Sequence, residues 1–312
     1  MPVFLYSQLR ECYNLCEHEE EVICIKGQII KALSGFYYVK SDDSIYQCRA
    51  RGNFRKRGIS PLVGDFVEFQ IENETDGYIL SIEERNNSMV RPPVANIDRV
   101  IVVLSAKEPE FSLNLLDKFL VKVESYGIEP VILVTKKDLI NQDETLFIER
   151  ALGYYESIGY ETYFVTNLNE QSYDALVQGI TVLAGQSGVG KSSFINSLIP
   201  DANLNTGVIS NALNRGKHTT RHVELIPLQN GYIADTPGFS SLELDNIDKY
   251  ELKNMFPDFV KLAPQCKFRE CLHLNEPNCA IKKAIETGEV LQSRYDHYLQ
   301  MMSEIENRKV RY

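Results

Sequence analysis

Thr181-Val-Leu-Ala-Gly185-Gln186-Ser187-Gly188-Val189-Gly190-Lys191-Ser192-Ser193 is the stretch from which the rest of the chain can be read. The apolar run Ile180 to Ala184 enters it as a buried strand, and Phe194-Ile-Asn-Ser-Leu-Ile leaves it as a helix. Four residues separate Gly185 from Gly190 and Lys-Ser follows, which is the pattern of a phosphate-binding loop. Glycines let backbone N–H groups wrap a phosphate chain, and the helix N-terminus adds partial positive charge. In that role Lys191 bridges the outer phosphates and the Ser192 hydroxyl holds Mg²⁺. A glycine-rich turn that binds nothing is the competing reading. The strand before and the helix after weigh against it.

Composition narrows the field. The chain has 312 residues, enough for two or three domains. Apolar content of 44% and charged content of 24% are ordinary for a globular protein. A net charge of −10 argues against blanket nucleic-acid binding, so any RNA contact has to come from local basic patches. Pro2 to Tyr6 is a short apolar run without the basic leader of a signal peptide. No run approaches membrane-spanning length. A cytosolic monomer without a membrane partner is expected. The seven cysteines then point to free thiols or a metal site rather than disulfides.

Residues 1–20 read as an N-terminal extension. Cys12, Cys16 and His18 resemble half a metal site, but no second pair lies nearby, and an amphipathic helix or loose arm is the plainer reading. From there to residue 90 the texture is strand-like. Val22 to Ile30, Gly35 to Lys40, Ile45 to Arg49, Asp65 to Ile71 and Tyr78 to Ile82 are five short strands separated by turn signals. Such a set suits a small closed barrel of the oligonucleotide-binding type. Between the third and fourth strands lie Arg49, Arg51, Phe54, Arg55, Lys56 and Arg57. A basic run with an aromatic inside it can grip RNA phosphates and stack a base; a solvated basic loop has the same composition.

Arg91-Pro92-Pro93 reads as a linker, after which strands and helices alternate across residues 91–243. Val100 to Leu104, Val131 to Val134, Thr162 to Val165 and Ile180 to Ala184 are the strands. Leu113 to Tyr126, Glu144 to Ser157 and a short Ser172 to Gln178 are the helices. This predicts a doubly wound α/β sheet with its ligand at the carboxyl ends of the strands. Thr135-Lys136-Lys137-Asp138 follows the second strand directly. A carboxylate placed there accepts two hydrogen bonds from the N1–H and exocyclic amine of guanine, a donor pair that adenine lacks. The Lys136 stem would cover the base. Val165-Thr166-Asn167 is a weaker candidate for touching the guanine carbonyl. Asp235-Thr-Pro-Gly238 fits the metal-side element of a GTPase, with Asp235 on Mg²⁺ through water and the Gly238 N–H sensing the γ-phosphate. An Asp-Pro-Gly turn is common elsewhere too. Thr219 or Thr220, in Gly216-Lys217-His218-Thr219-Thr220, would complete the Mg²⁺ shell.

The order of these elements is informative. The guanine-reading residues precede the phosphate loop, whereas an ordinary GTPase runs the other way. Circular permutation preserves such a site when the original termini lay close together. Phe239 follows Gly238, where many GTPases carry a water-orienting Gln, so intrinsic hydrolysis should be slow and a partner should speed it. His218 is a candidate substitute for the missing group, with a solvated switch histidine as the alternative.

Cys266-x4-Cys271-x-His273-x5-Cys279 supplies three thiolates and one imidazole, a closed tetrahedral set suited to structural zinc, one ion per chain. Buried free thiols are the alternative. Residues 244–312 are too few for a large core, so a bound metal would contribute folding energy there. Leu291, Tyr295, Tyr298, Leu299 and Met302 share one helical face and read as packing.

Barrel, permuted GTPase and Cys/His set together resemble the circularly permuted RsgA family of ribosome small-subunit biogenesis GTPases. The likeness spans about residues 21 to 312 and rests on Gly185–Ser193, Gly216–Thr220, Asp235–Phe239 and the four metal ligands. It implies a GTP-driven late-assembly or checkpoint factor that binds the small subunit, contacts its rRNA and is stimulated by it. It assigns base reading to Lys136 and Asp138. The phosphate and Mg²⁺ roles fall on Gly185, Gln186, Ser187, Gly188, Val189, Gly190, Lys191, Ser192 and Ser193. The family usually has Asn where this chain has Thr135. That removes a side-chain amide able to brace the loop, which implies a lower affinity, with guanine choice kept by Asp138. An ATP-using P-loop enzyme and a nucleic-acid-binding module with a structural nucleotide site are the two rivals.

Overall fold

The structure is a computed structural model that describes residues 24–52, 54, 58–166, 173–198, 223–239 and 242–308, with backbone alone for 174 and 235–239. Its contacts divide into two units. One is residues 1–85 with 222–224, and the other is residues 86–221 with 225–312.

The first unit is a barrel of β1 (Cys24–Leu33), β2 (Phe36–Ser41), β3 (Ser44–Ala50), β4 (Phe66–Ile71) and β5 (Asp76–Ile82). Pairing runs β1-β2-β3-β5-β4 and returns from β4 to β1, so the sheet closes. β3 and β5 are parallel and the other pairs antiparallel. Alternation along each strand sends Ile29, Val39, Cys48, Val67, Phe69 and Ile79 inward, all fully buried. Closure is tight: a Cβ on Gly27 would lie 2.6 Å from the Lys40 carbonyl oxygen. The loop after β3 is anchored at its far end by Asp65, a buried carboxylate. It accepts from Arg85 Nε at 2.7 Å, Arg85 Nη2 at 2.8 Å and the Leu62 N–H at 2.7 Å. The five expected strands are present.

In the second unit, β6 (Ser88–Val90) and β7 (Pro93–Ala95) form a hairpin. Arg91-Pro92-Pro93, expected as a linker, lies at its turn. The hairpin is tied down by the Asn87 side chain, which accepts from the Ile97 N–H and donates to the Ile97 carbonyl. Then come β8 (Arg99–Ser105), α1 (Leu113–Glu124), β9 (Glu129–Thr135), α2 (Gln142–Ser157), β10 (Glu161–Phe164), β11 (Gly179–Ala184), α3 (Lys191–Leu198), β12 (Val223–Leu228) and β13 (Gly231–Phe239). The sheet order is β10-β9-β8-β11-β13-β12, and the four junctions from β10 to β13 are parallel. β8 is buried along its whole length, as a central parallel strand requires. Ser112 caps α1, and Asn141 with Glu144 forms a capping box on α2. Ile101, Val103, Val131 and Leu133 pack with Phe194 and Leu198 on one face of the sheet. The chain builds outward from β8 to β10 and then returns to the other side of β8 for β11. The direction therefore switches between β8 and β11, and a doubly wound sheet opens its crevice at such a point.

The expected helix Ser172 to Gln178 is instead a 3₁₀ turn at Asp174–Leu176. So short a segment gains little from helical hydrogen bonding and is set by burying Tyr173, Leu176 and Val177. The C-terminal part has α4 (Pro257–Leu262), α5 (Ala280–Glu286) and α6 (Gln292–Glu306) around Phe256, Phe259 and Tyr298. Arg294 is fully buried here between Asp258, whose carboxylate lies 3.0 Å from its Nε, and Asp117 of α1. Tyr154 and Tyr155 donate to the same two carboxylates. So many partners are what make a buried guanidinium tolerable. Within the described residues no helix is long and apolar enough to cross a membrane.

Candidate functional site: a nucleotide cleft and a Cys/His cluster

The phosphate loop leaves β11 at Gly185, beside β8. Gly185 has φ +144°, and a Cβ there would lie 2.2 Å from the Val103 carbonyl oxygen, so no other residue fits. Gly188 and Gly190 also take positive φ. The loop opens into α3, which starts at Lys191, so the helix N-terminus faces the loop as read from sequence. The Lys191 ammonium donates to the Gly185 carbonyl at 2.7 Å and to that of Gln186 at 2.5 Å. Burial lowers its pKa. A desolvated ammonium held on its own loop is ready to exchange these carbonyls for phosphate oxygens.

Thr135 ends β9 and is buried against the same loop. Its hydroxyl lies 2.7 Å from the Val189 carbonyl oxygen and 3.2 Å from that of Leu104. One hydroxyl carries one proton, and the shorter contact is to the phosphate loop. The hydroxyl thus ties Thr135 to the phosphate loop in place of an amide. Lys136 follows in the left-handed region, φ 60°, ψ 38°, and its ammonium donates to the Glu108 carbonyl. Asp138 is exposed in the 3₁₀ turn Lys137–Leu139. Lys137 turns elsewhere: its ammonium is 2.7 Å from Glu149 and sits 4.7 Å from the Phe164 ring centre. Those partners hold α2 and β10 and give Lys137 a structural task.

Along β13, the pairing Val182–Ala234 resumes only at Ala184–Phe239, so the backbone of Asp235–Gly238 loops out of register beside the start of the phosphate loop. The side chains of Asp235 and its four successors, and all of His218, Thr219, Thr220 and Asn167, lie outside what is described. So do Arg55, Lys56 and Arg57. Arg49 is exposed on β3 with its guanidinium 4.8 Å from the Phe36 ring centre, and Arg51 donates to Gln70 at 3.0 Å.

The Cys266, Cys271, His273 and Cys279 ligand atoms all lie within 4.8 Å of one another. His273 Nδ1 is 3.4 Å from Cys279 Sγ and 3.7 Å from Cys266 Sγ, so this nitrogen faces the thiols. Burial, aided by Lys253, lowers the His273 pKa to about 4, which keeps the ring neutral. Burial pushes the Cys271 thiol up to about 12. Three thiols and a neutral imidazole converging in a buried space fit a tetrahedral metal ion that neutralises them as thiolates. The ligand loop is wired by side chains that the sequence reading passed over. Glu276 accepts from the Leu272 and Leu274 N–H groups, each at 2.7 Å. Tyr295 donates to the His273 carbonyl at 2.6 Å and Tyr298 to the Leu272 carbonyl at 2.7 Å. The signal lay in the residue type: two of the stripe positions taken as packing carry a hydroxyl.

Parallel sheet, switch point and glycine loop define a P-loop nucleotide-binding protein. The RsgA GTPase family profile matches residues 82–245, and the RsgA N-terminal domain profile matches residues 26–79. Over 292 residues the chain is 58% identical to small ribosomal subunit biogenesis GTPase RsgA 1 of Listeria monocytogenes serotype 4b (strain F2365), covering 92% of this chain and 100% of that one. It is 52% identical over 291 residues to small ribosomal subunit biogenesis GTPase RsgA of Shouchella clausii, covering 92% and 99%. The crystal structure of YloQ, a circularly permuted GTPase, superposes with TM-score 0.77 at 46% identity, covering 95% of this chain and 100% of that one. That of YjeQ from Thermotoga maritima superposes with TM-score 0.79 at 32% identity, covering 92% and 100%. The chain belongs to the RsgA family of small ribosomal subunit biogenesis GTPases, and is a GTP hydrolase.

Proposed function

We propose that this chain binds the small ribosomal subunit late in its maturation, hydrolyses GTP to GDP and phosphate when the subunit stimulates it, and then leaves. The observation that carries the reading is the contact of Thr135 with Val189. It supports reading the turn after β9 and the phosphate loop as two sides of one cleft at the switch point between β8 and β11. Asp138 reads guanine, the Lys136 stem covers the base, and Gly185–Ser193 wrap the phosphates. Lys191 trades its two loop carbonyls for phosphate oxygens. Ser192 and Asp235 would hold Mg²⁺, which supplies charge neutralisation at the phosphates. Gly238, His218 and one of Thr219 and Thr220 complete the switch side.

The ion at the Cys/His cluster is zinc in this reading, because three thiolates and one imidazole leave no position for water. Arg49, Arg51, Arg55, Lys56 and Arg57 contact rRNA. The working division is residues 1–20, 21–90, 91–243 and 244–312, in a cytoplasmic monomer. GTP orders the switches and favours the bound form; hydrolysis releases them. The test is GTP and ATP turnover with and without purified small subunits. Faster GTP turnover with subunits, and none with ATP, is expected. Equal subunit affinity for the GDP form and for a non-hydrolysable GTP form would remove the driving force for release.

A further inference from the structure

β8 ends at the switch point, and the chain leaves it as Ala106-Lys107-Glu108-Pro109-Glu110 before α1 begins. None of these residues carries a nucleotide-binding motif, yet four features bind the segment into the cleft. The Ala106 N–H donates to the Thr135 carbonyl at 2.9 Å. The buried Ser105 hydroxyl donates to the Pro109 carbonyl at 2.7 Å. A Cβ on Gly188, in the middle of the phosphate loop, would lie 4.0 Å from Pro109 Cδ, so Pro109 flanks that loop. Lys107 pairs at 3.1 Å with Glu144, the capping-box residue of α2. Between these anchors Glu108 is held at φ +56°, a conformation an L-residue adopts only when its surroundings impose it, and its carbonyl accepts the Lys136 ammonium.

We propose that residues 105–110 form a positioning wall of the guanine-nucleotide site, with the Ser105 hydroxyl fixing the Pro109 carbonyl and thereby the adjoining peptide whose Glu108 carbonyl holds Lys136 over the base. A free lysine has several rotatable bonds and must lose that freedom each time it covers a base. Here its far end is tied to a carbonyl that is itself fixed, so the stem is ordered before the nucleotide arrives. The wall runs from Lys136 at the base end to Gly188 at the phosphate end. Ser105, Glu108 and Pro109 act through Lys136 and the loop and are positioning residues. The inference rests on the proposed base-covering role of Lys136.

The experiment is a double-mutant cycle on the full, metal-loaded chain, read as GDP affinity by titration calorimetry. Ser105→Ala should weaken GDP about 5-fold in the wild-type background and less than about 1.5-fold in a Lys136→Met background. Lys136→Met keeps much of the stem but removes the ammonium that the wall holds. A second variant avoids any fold defect: Glu108→Gly is unstrained at positive φ, so the melting midpoint should hold or rise while GDP weakens about 3-fold. Equal loss from Ser105→Ala in both backgrounds, or no loss from either wall variant, overturns the wall. If Lys136→Met weakens GDP while the wall variants do not, only this inference falls. If Lys136→Met leaves GDP affinity unchanged, the base-covering role falls and the wall with it.

Discussion

The phosphate loop and the Cys/His cluster are held in opposite ways. The loop is a run of backbone kept in shape by residues from distant strands: Val103 leaves room only for Gly185, and Thr135 holds Val189. The cluster has its ligands close in sequence, three of them buried and Cys266 half-buried, with the neighbouring helix supplying hydroxyls to its carbonyls. The loop should therefore survive loss of its ligand, because the sheet persists without it. The cluster should not, because three thiols and an imidazole need the ion to justify their burial.

Metal removal is the strongest way to break that contrast. Structural metal binding by such ligand sets is worth about 10 kcal/mol or more in zinc-finger peptides. Chelation at neutral pH should release one ion per chain and abolish the near-UV signal of Tyr295 and Tyr298. GDP affinity should fall less than about 3-fold, since Thr135 and Val103 are untouched. A parallel collapse of GDP binding would show that the two sites share one cooperative unit, joined through Arg294 and Asp117.

Next in size is Lys191→Met. The ammonium is desolvated by its burial, which lowers its pKa, so removing the charge should leave the melting midpoint unchanged or raise it. GTP turnover should fall by about 10²–10³-fold, the loss of a charged contact to the transferring phosphoryl group. A lowered midpoint would mean that the lysine serves the fold rather than the phosphates.

Much of this contrast was readable in the sequence, for physical reasons that differ between the regions. Gly185, Gly190, Lys191 and Ser192 announce themselves because backbone wrapping of phosphate tolerates few alternatives at fixed spacing. The cysteines do so because few other residues offer a thiolate. The five barrel strands followed from short strand-like runs separated by turn signals. What escaped was set by tertiary contact. Thr135 looked like a lost brace, since sequence says which group is missing and not where the remaining hydroxyl points. No local pattern marks Arg294 as buried, because its carboxylate partners stand on two other helices. Ser105–Glu110 has no motif at all; its place at the switch point comes from strand order, which no local pattern records.

An acid titration sharpens the comparison from the metal side. Burial holds the His273 pKa at about 4 in the folded chain, below the usual value of about 6.5. A depressed pKa contributes stability that is complete above the unfolded value and is lost as pH falls through the folded one. Stability of the C-terminal part should therefore fall as pH drops from about 6.5 towards 4. Protons also compete with the metal for the thiolates, which steepens the loss. Melts at pH 7, 5.5 and 4.5, followed by the tyrosine signal, should show it. A flat profile across that window would mean that His273 is not held neutral by its surroundings.

The smallest effect tests the brace on the other side. Thr135→Val keeps the shape of the side chain but removes its proton, leaving the Val189 carbonyl without that donor. An unmade buried hydrogen bond costs about 1–2 kcal/mol, so GDP affinity should drop about 5–30-fold. Thr135→Ser, which keeps the hydroxyl, should stay within about 2-fold of the wild type. Thr135→Asn should bind GDP no more tightly than the native chain, because the loop it would brace is already braced. Tighter binding by that variant would mean that the threonine hydroxyl is a poor substitute for the amide, and that the family's usual asparagine does something here which a single proton donor cannot.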